Sequence, residues 1–275
     1  MFVLGTRLQV PCLRPCSTQP SHALSVRSPH APGPSSRHLD RFASASRRVV
    51  PRRSSRQRRP QQTLALFTGI VQGQGEVVRV HQQQDFRSID IQFPSSSMAG
   101  IQIGASVAIN GTCLTVTAID GDRLSFDIIV ETLRATNLGA LDLGSRVNFE
   151  RSARVGDEIG GHNVSGHVCA TASVSAIEDS ENNRRITFKV PQQYMKYILP
   201  KGFIAVDGIS LTVGEVGDDW FTVYLIPETL RVTTLGVRAV GDAVNLEVEA
   251  QTQAIVDTVE NVVARYMSQM QLSAA

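Results

Sequence analysis

The stretch ETLRATNLG at 131–139 returns as ETLRVTTLG at 228–236, a displacement of 97 residues (228 − 131). At the same displacement FTGIVQGQGEV (67–77) falls on VSGHVCATASV (164–174), NGTCLTV (110–116) on DGISLTV (207–213), and GSRVNFE (144–150) on GDAVNLE (241–247). Between 106–150 and 203–247, 18 of 45 positions are identical without a gap. A run so mixed in character does not recur through simple strand or helix periodicity. The chain therefore carries a duplicated unit of roughly 90–100 residues, and whatever architecture it adopts is built twice.

Each copy is written in strands. Val147 and Phe149 alternate with Asn148 and Glu150, and Val244, Leu246 and Val248 alternate with Asn245 and Glu247, which predicts half-buried strands. LTVTAID and RLSFDIIV flank Gly121-Asp122, while LTVGEVG and WFTVYLI flank Asp218-Asp219, predicting one hairpin per copy. Many short strands joined by Gly, Asp and Asn turns favour an all-β fold, a small barrel or sandwich in each copy. The T-L-R-x-T-x-L-G run reads as one short helical turn, with Gly139 or Gly236 as its C-cap. Beyond both repeats, apolar residues at 255, 259, 262, 266 and 270, with 256, 263 and 267 beside them, predict a helix about five turns long. That face either packs on the body or mediates self-association, and its near-heptad spacing favours the latter.

The first 60 residues differ in kind, with 12 Arg, 10 Ser, 8 of the chain's 12 Pro and a single acid, Asp40. An Arg- and Ser-rich, acid-poor leader reads as an organelle transit peptide, the alternative being a disordered basic tail. It lacks the uninterrupted apolar core of a secretory signal. Without this leader the 27 basic and 25 acidic residues become 15 and 24, a net of −9 (27 − 12 and 25 − 1). The body is acidic, which argues against nucleic acid as a partner. No apolar run reaches the length of a membrane span, so no membrane partner is expected. Of the chain's four cysteines the body keeps only two, Cys113 and Cys169, unclustered, which points to a reducing compartment and to neither a disulfide framework nor a structural zinc site.

Motifs for cofactors are missing. Gly73-Gln74-Gly75 lacks the third glycine and the following helix of a dinucleotide fingerprint, and there is no GxxxxGK. His162 and His167 lie five apart, off a common helical face, with no Cys or acidic cluster to complete a metal site. Asn163-Val164-Ser165 matches a glycosylation sequon by chance composition. Neither a cofactor nor a metal is expected.

What remains is polar residues inside an apolar repeat. Copy one offers Ser106, Cys113, Thr115 and Thr132; copy two offers His167, Lys201, Asp207, Ser210, Thr212 and Thr229. At the repeat displacement Thr115 matches Thr212, Thr132 matches Thr229 and Cys113 matches Ser210. A single strand hydroxyl often bonds only to neighbouring backbone. Retention of the same Leu-Thr pair in two diverged copies points instead to two related pockets for similar ligands. Copy two carries His167, Lys201 and Asp207 where copy one has Ile70, Gly104 and Asn110, so two like molecules would be treated differently. His, Lys and Asp suit proton transfer. Asp207 also reads as a turn residue in DGIS, and Lys201 as a solvated loop lysine.

FTGIVQG, NGTCLTV, ETLRATNLG, IGGHNVSGHV, KGFIAVDGISLTV, LIPETLR and QTQAIVDTVE, in this order and spacing across 66–260, resemble the riboflavin synthases of the alpha-chain type. The resemblance implies an all-β fold of two tandem, closed, Greek-key-like β-barrels followed by a C-terminal α-helix. It divides the chain into a transit peptide (1–65), a first lumazine-binding barrel (66–160), a second (161–249) and an oligomerisation helix (250–275). It further implies a homotrimer with the active site between barrels of neighbouring subunits. The reaction would be cofactor-free: of two molecules of 6,7-dimethyl-8-ribityllumazine, one donates a four-carbon unit to the other, giving riboflavin and 5-amino-6-ribitylamino-uracil. The ETLR stretch would then occur twice because two copies of one substrate need two cradles.

Carried over by motif, the first pocket comprises Gly69, Ile70, Val71, Cys113, Leu114, Thr115, Asp127, Ile128, Ile129, Val130, Glu131 and Thr132. The second comprises Gly166, His167, Val168, Lys201, Ser210, Leu211, Thr212, Ile226, Pro227, Glu228, Thr229, Leu230 and Arg231. Turnover is expected to depend on Phe67, Ser106, Cys113, His167, Lys201, Asp207 and Ser210. In the roles implied, His167 transfers protons, Asp207 and Ser210 polarise the bound ring, and Cys113 or Ser106 positions an adduct at C7. Lys201 holds a carbonyl or ribityl oxygen. Phe67 reaches its family place only if the leader is removed near residue 65, and plant-type flavin synthesis points to the plastid stroma, with the mitochondrial matrix as alternative. The alternative function is a non-catalytic lumazine- or flavin-binding protein of the same fold; retention of both Leu-Thr pairs, His167, Lys201, Asp207 and Ser210 favours the enzyme.

Overall fold

Residues 66–84 and 86–273 are described by the structure, a computed structural model; the leader 1–65 lies outside the described residues. The first copy forms β1 (Gly73–Gln82), β2 (Phe86–Gln92), β3 (Ser106–Ile109), β4 (Thr112–Asp120), β5 (Arg123–Ile129) and β6 (Arg146–Arg151). These run β1-β2-β5-β4-β3-β6, and β6 closes back on β1 as a barrel. Strands β3 to β5 follow one another by hairpins and β6 returns beside β3, which is a Greek key. The second copy forms β7 (Ala170–Asp179), β8 (Arg184–Lys189), β9 (Phe203–Val206), β10 (Ile209–Thr212), β11 (Trp220–Leu225) and β12 (Ala243–Val248), in the same order.

Closure differs between the copies. The hairpin predicted at Gly121-Asp122 pairs β4 with β5, with a bulge between Val116 and Ala118. Its counterpart at Asp218-Asp219 keeps only a bridge between Val216 and Phe221 and a few loop hydrogen bonds, such as Gly214 N to Thr222 O at 2.7 Å. Gly214 and Gly217 stand where copy one has Thr117 and Asp120, and glycine weakens a strand. The second barrel is therefore nearly closed rather than closed.

Inward-facing residues alternate as the pattern requires. Leu124, Phe126 and Ile128 of β5, and Phe221, Val223 and Leu225 of β11, are all but inaccessible. Each such side chain contributes roughly 1.5–3 kcal/mol of burial. Strands β6 and β12 depart from the half-buried expectation. Asn148, Glu150, Asn245 and Glu247 on their outer faces are as buried as Val147 and Val244, because the two barrels pack against each other there.

The hairpin tips explain two backbone features. Asn110 and Asp207 have φ of 43° and 45°, followed by Gly111 and Gly208 at 77° and 78°. Two consecutive left-handed residues form the tight two-residue turn between β3 and β4, and between β9 and β10. The tips touch: a Cβ on Gly111 would stand 2.6 Å from Gly208 N, and one on Gly208 2.7 Å from Gly111 N. Only glycine fits at both places.

The ETLR runs form α1 (Val130–Ala135) and α2 (Pro227–Val232), each followed by a 3-10 turn. Gly139 and Gly236 lie in those 3-10 turns, not at left-handed caps. Thr136 and Thr233 end the helices instead, donating through Oγ1 to Thr132 O and Thr229 O at 2.7 Å. The glycines are required because a Cβ would strike the Leu133 or Leu230 carbonyl. Last comes α3 (Ala250–Ser273), anchored at its start by Tyr197 Oη donating to Asp257 and Lys196 Nζ to Glu260. On its other face, Ile255, Val259, Val262, Tyr266 and Met270 are all more than half exposed. No helix among the described residues is long and apolar enough to cross a membrane.

Candidate functional site

The segment leading into each barrel crosses to the other barrel. Phe67 and Val164 exchange amide-to-carbonyl bonds of 2.9 and 3.0 Å, so the two lead-ins run antiparallel at a pseudo-two-fold axis. Glu150 on β6 then accepts from Thr68 N, Thr68 Oγ1 and Gly69 N at 2.6, 2.8 and 2.9 Å. Glu247 on β12 accepts from Ser165 N, Ser165 Oγ and Gly166 N at 2.7, 2.8 and 3.0 Å. Burial raises the Glu150 carboxyl above its ordinary value, and the three donors oppose that rise.

Held this way, the lead-ins end on the opposite strands. Gly69 O accepts Ser210 N at 2.8 Å, and Gly166 O accepts Cys113 N at 2.9 Å. Val71 packs on the core of the second barrel. The division of pocket residues expected from the sequence is therefore corrected: Gly69 goes with Ser210 and Val71 with the second barrel, and Gly166, His167 and Val168 go with Cys113, while Ile70 lies beside Glu150, Arg151 and Gly160. Side chains at the contact must be small, since a Cβ on Gly166 would lie 2.6 Å from Cys113 Cβ and one on Gly69 2.5 Å from Ser210 Cβ.

Around Cys113 this crossing shapes a cleft of about 230 Å³ lined by Thr112, Cys113, Glu131, Thr132, Gly166, His167 and Val168, with Ala135 and Thr136 behind. Burial pushes the Cys113 thiol up, and a hydrogen bond with Ser106 pulls it back. Phe67 is fully buried beneath, packed with Ala108, Val164 and Ala205 against Cys113; it is a wedge between barrels rather than a lining residue. Leu114 and Ile128 point into the first core, Leu211 into the second, whereas Thr115, Ile129, Thr212 and Ile226 face outward. Asp127 accepts from Ser88 Oγ at 2.5 Å on the barrel surface. Glu228 and Arg231 pair with each other on exposed α2, whose Leu230 packs on the second core; Val130 begins α1 and Pro227 begins α2.

Lys201 is exposed at the mouth of the second barrel, its amide donating to Val213 O at 2.9 Å. Its φ of 67° matches the 87° of Gly104 at the repeat-related position. A lysine held in the left-handed region costs roughly 1–2 kcal/mol relative to the right-handed one, a strain the glycine in copy one avoids.

Asp207 is placed elsewhere. It is fully buried at the hairpin tip, where its carboxylate accepts from Asn245 N at 2.8 Å, Asn137 Nδ2 at 2.9 Å and Arg238 Nη2 at 2.8 Å. All three partners donate, and the carboxylate has no solvent-exposed surface, so it sits at the hairpin tip as the turn reading of DGIS describes. Burial raises its carboxyl above the ordinary range while Arg238 opposes. Around it, Asn148 Nδ2 donates to Asp207 O at 3.0 Å and Asn245 Nδ2 to Asn110 O at 2.8 Å, one bond the image of the other.

Several of these residues escape a reading for catalysis. Glu150 and Glu247, and Asn148 and Asn245, are identical polar residues at matched positions of VNFE and VNLE, and that identity was the available signal. His162, weighed from the sequence only as a metal ligand, has no repeat-related signal because it lies in the linker outside the duplicated core, yet its Nδ1 stands 2.6 Å from Ser210 Oγ. Among the described residues no cluster of three or more His, Cys, Asp or Glu could hold a metal.

Tandem barrels that exchange their lead-ins around a pseudo-two-fold axis define the class: the model of the lumazine binding domain matches twice, at 68–152 and 165–249. Solved structures of LumP resemble this chain. The complex with 6,7-dimethyl-8-(1'-D-ribityl) lumazine has a TM-score of 0.61 and 28% identity, covering 66% of this chain and 99% of LumP. The riboflavin complex has a TM-score of 0.63 and 30% identity over the same shares. Riboflavin synthase of Escherichia coli (strain K12) is 56% identical over 200 residues, 72% of this chain and 94% of the relative. That of Buchnera aphidicola subsp. Schizaphis graminum is 44% identical over 204 residues, 74% of this chain and 98% of the relative. The chain belongs to the riboflavin synthase family.

Proposed function

We infer that this chain is a transferase, a riboflavin synthase, converting two molecules of 6,7-dimethyl-8-ribityllumazine into riboflavin and 5-amino-6-ribitylamino-uracil by four-carbon transfer. The observation that carries this reading is the matched pair of crossings, Cys113 with Gly166–Val168 and Ser210 with Gly69, on a chain 56% identical to a riboflavin synthase. Two related but unequal pockets suit two copies of one substrate treated differently. The substrate's 7-methyl group is acidic because its anion spreads into the fused pyrimidinedione, so the protein's task is to orient two rings and move protons. His167, exposed in the cleft beside Cys113, is the proposed proton carrier, and strained Lys201 the proposed contact to a carbonyl or ribityl oxygen.

The exposed apolar stripe of α3 supports a homotrimer in which the first barrel of one subunit faces the second barrel of the next, each active site holding two lumazines. The Arg- and Ser-rich leader supports import into the plastid stroma, with the mitochondrial matrix as second choice. The test is anaerobic incubation of residues 66–275 with 6,7-dimethyl-8-ribityllumazine and no added cofactor. Two substrates consumed per riboflavin formed, with an equal yield of the uracil product, is the expected result. Tight binding without product would favour the second reading, a lumazine-binding protein like LumP, and would remove the roles assigned to His167 and Lys201.

A further inference from the structure

The hydroxyl of Ser210 is engaged from outside both barrels. His162, on the linker between them, places Nδ1 2.6 Å from Ser210 Oγ. The imidazole is buried, and its ring stacks on Phe203 with centroids 5.2 Å apart and 14° between planes. Its amide donates to Thr68 O at 3.1 Å, tying the linker to the first lead-in. Gly161 beside it lies so close to the Thr68 carbonyl and to Ser210 that any side chain would collide with both. Backbone, aromatic face and close packing thus fix the plane of the imidazole before any ligand arrives.

The duplication supplies the contrast. At the displacement of 97 residues Ser210 matches Cys113 and Phe203 matches Ser106, while the place of His162 falls on Ala65. In sequence, the first copy thus has neither a histidine nor an aromatic residue at the matched positions.

We propose that His162 is a positioning residue that fixes the direction of the Ser210 hydroxyl, so that the second pocket offers its ligand a directed hydroxyl where the first offers a thiol. The proposal rests on reading Ser210 as a ligand contact. With the ring proton on Nε2, Nδ1 accepts the Ser210 hydrogen and the oxygen's lone pairs turn toward the pocket. The second pocket then selects a ligand N–H or O–H donor at that point, and the two copies of a substrate are held in different orientations by otherwise matching cradles.

The experiment measures kcat and KM for riboflavin formation in the full-length oligomer carrying His162→Phe, His162→Asn, Ser210→Ala, and His162→Phe with Ser210→Ala. Phenylalanine keeps the stack and the volume but not the nitrogen; asparagine restores a polar group near the Nδ1 position. The expected result is a KM raised roughly three- to tenfold by His162→Phe, largely recovered by His162→Asn, with no added effect of His162→Phe once Ser210 is alanine. Equal cost of His162→Phe with and without the Ser210 hydroxyl would overturn the positioning role. Unchanged kinetics for Ser210→Ala would overturn the reading of Ser210 itself, a different failure. Should His162→Phe not fold, His162→Gln reaches only the Nε2 position and is expected to raise KM as phenylalanine would; a wild-type KM in that variant rejects the proposal.

Discussion

Cys113 donates its amide to the carbonyl of Gly166 at 2.9 Å, and through that bond the second copy's lead-in completes the first copy's pocket. Ser210 and Gly69 repeat the relationship in the other direction at 2.8 Å. Neither pocket belongs to one half of the chain. Damage to one lead-in is therefore expected to appear in the opposite barrel.

Gly166→Ala adds a methyl 2.6 Å from Cys113 Cβ at a φ of 80°, and Gly69→Ala adds one 2.5 Å from Ser210 Cβ at 75°. Strain and overlap together are expected to cost about 2–4 kcal/mol each. Ligand titration followed by alkylation of Cys113 separates them: Gly166→Ala is expected to change thiol reactivity and Gly69→Ala to leave it alone. The reverse pattern would reject the crossing.

Buried Asp207 and half-buried Arg238 form an ion pair, 2.8 Å apart, where the first copy has Asn110 and Leu141. Asp207→Asn strands the guanidinium and is expected to cost about 3 kcal/mol. Adding Arg238→Leu recreates the first copy's pairing, and the double variant is expected to recover at least half of that loss. Urea unfolding of the three variants checks this; a double variant no better than Asp207→Asn would show that Arg238 is not the source of the cost.

Burial holds the His162 pKa below its ordinary 6.5, against the opposing pull of Glu249. Below 6.5 the unfolded chain takes up a proton that the folded chain refuses. Protonation therefore favours unfolding: the stability is present above the unfolded value and is lost as pH falls from there toward the folded one. Melting temperatures between about pH 8 and pH 5.5 are expected to decline more steeply in the wild type than in His162→Asn. Parallel curves would mean that His162 titrates as in water.

Val262→Asp with Tyr266→Asp places two charges on the exposed stripe of α3, where both side chains are more than half exposed. Tyr197 and Lys196 still fasten the start of the helix to the barrel, so the fold is expected to persist. Sedimentation is expected to give a monomer and activity to fall at least tenfold, because each active site is proposed to span two subunits. A trimer of unchanged mass would move the interface elsewhere.

The duplication, the first copy's hairpin and the terminal helix are legible because each depends on local alternation or on the repeat itself; the second copy's hairpin is reduced to a bridge and loop bonds. What was hidden depends on how the copies meet. Asn148 and Glu150 look like the wet face of a half-buried strand, and only the partner barrel makes them interior. The exchange of Gly69 and Gly166 leaves no mark in either copy, since the repeat aligns the same segment whichever barrel it serves. Asp207 drew attention by its charge, yet its φ of 45° and three donors make it a turn that joins the halves. His162 has no repeat-related twin and so could not be found by comparing copies.

The touching tips of the two hairpins carry a history. Before fusion, two identical chains meeting here would have set one glycine against itself across the axis, and any larger residue would have been doubled into a collision. A single chain frees the surroundings from that mirror: asparagine stands opposite aspartate, leucine opposite arginine and cysteine opposite serine. Gly111 and Gly208 kept their identity because contact there is still mutual. Ancestry survives at the point where the halves have no room to differ.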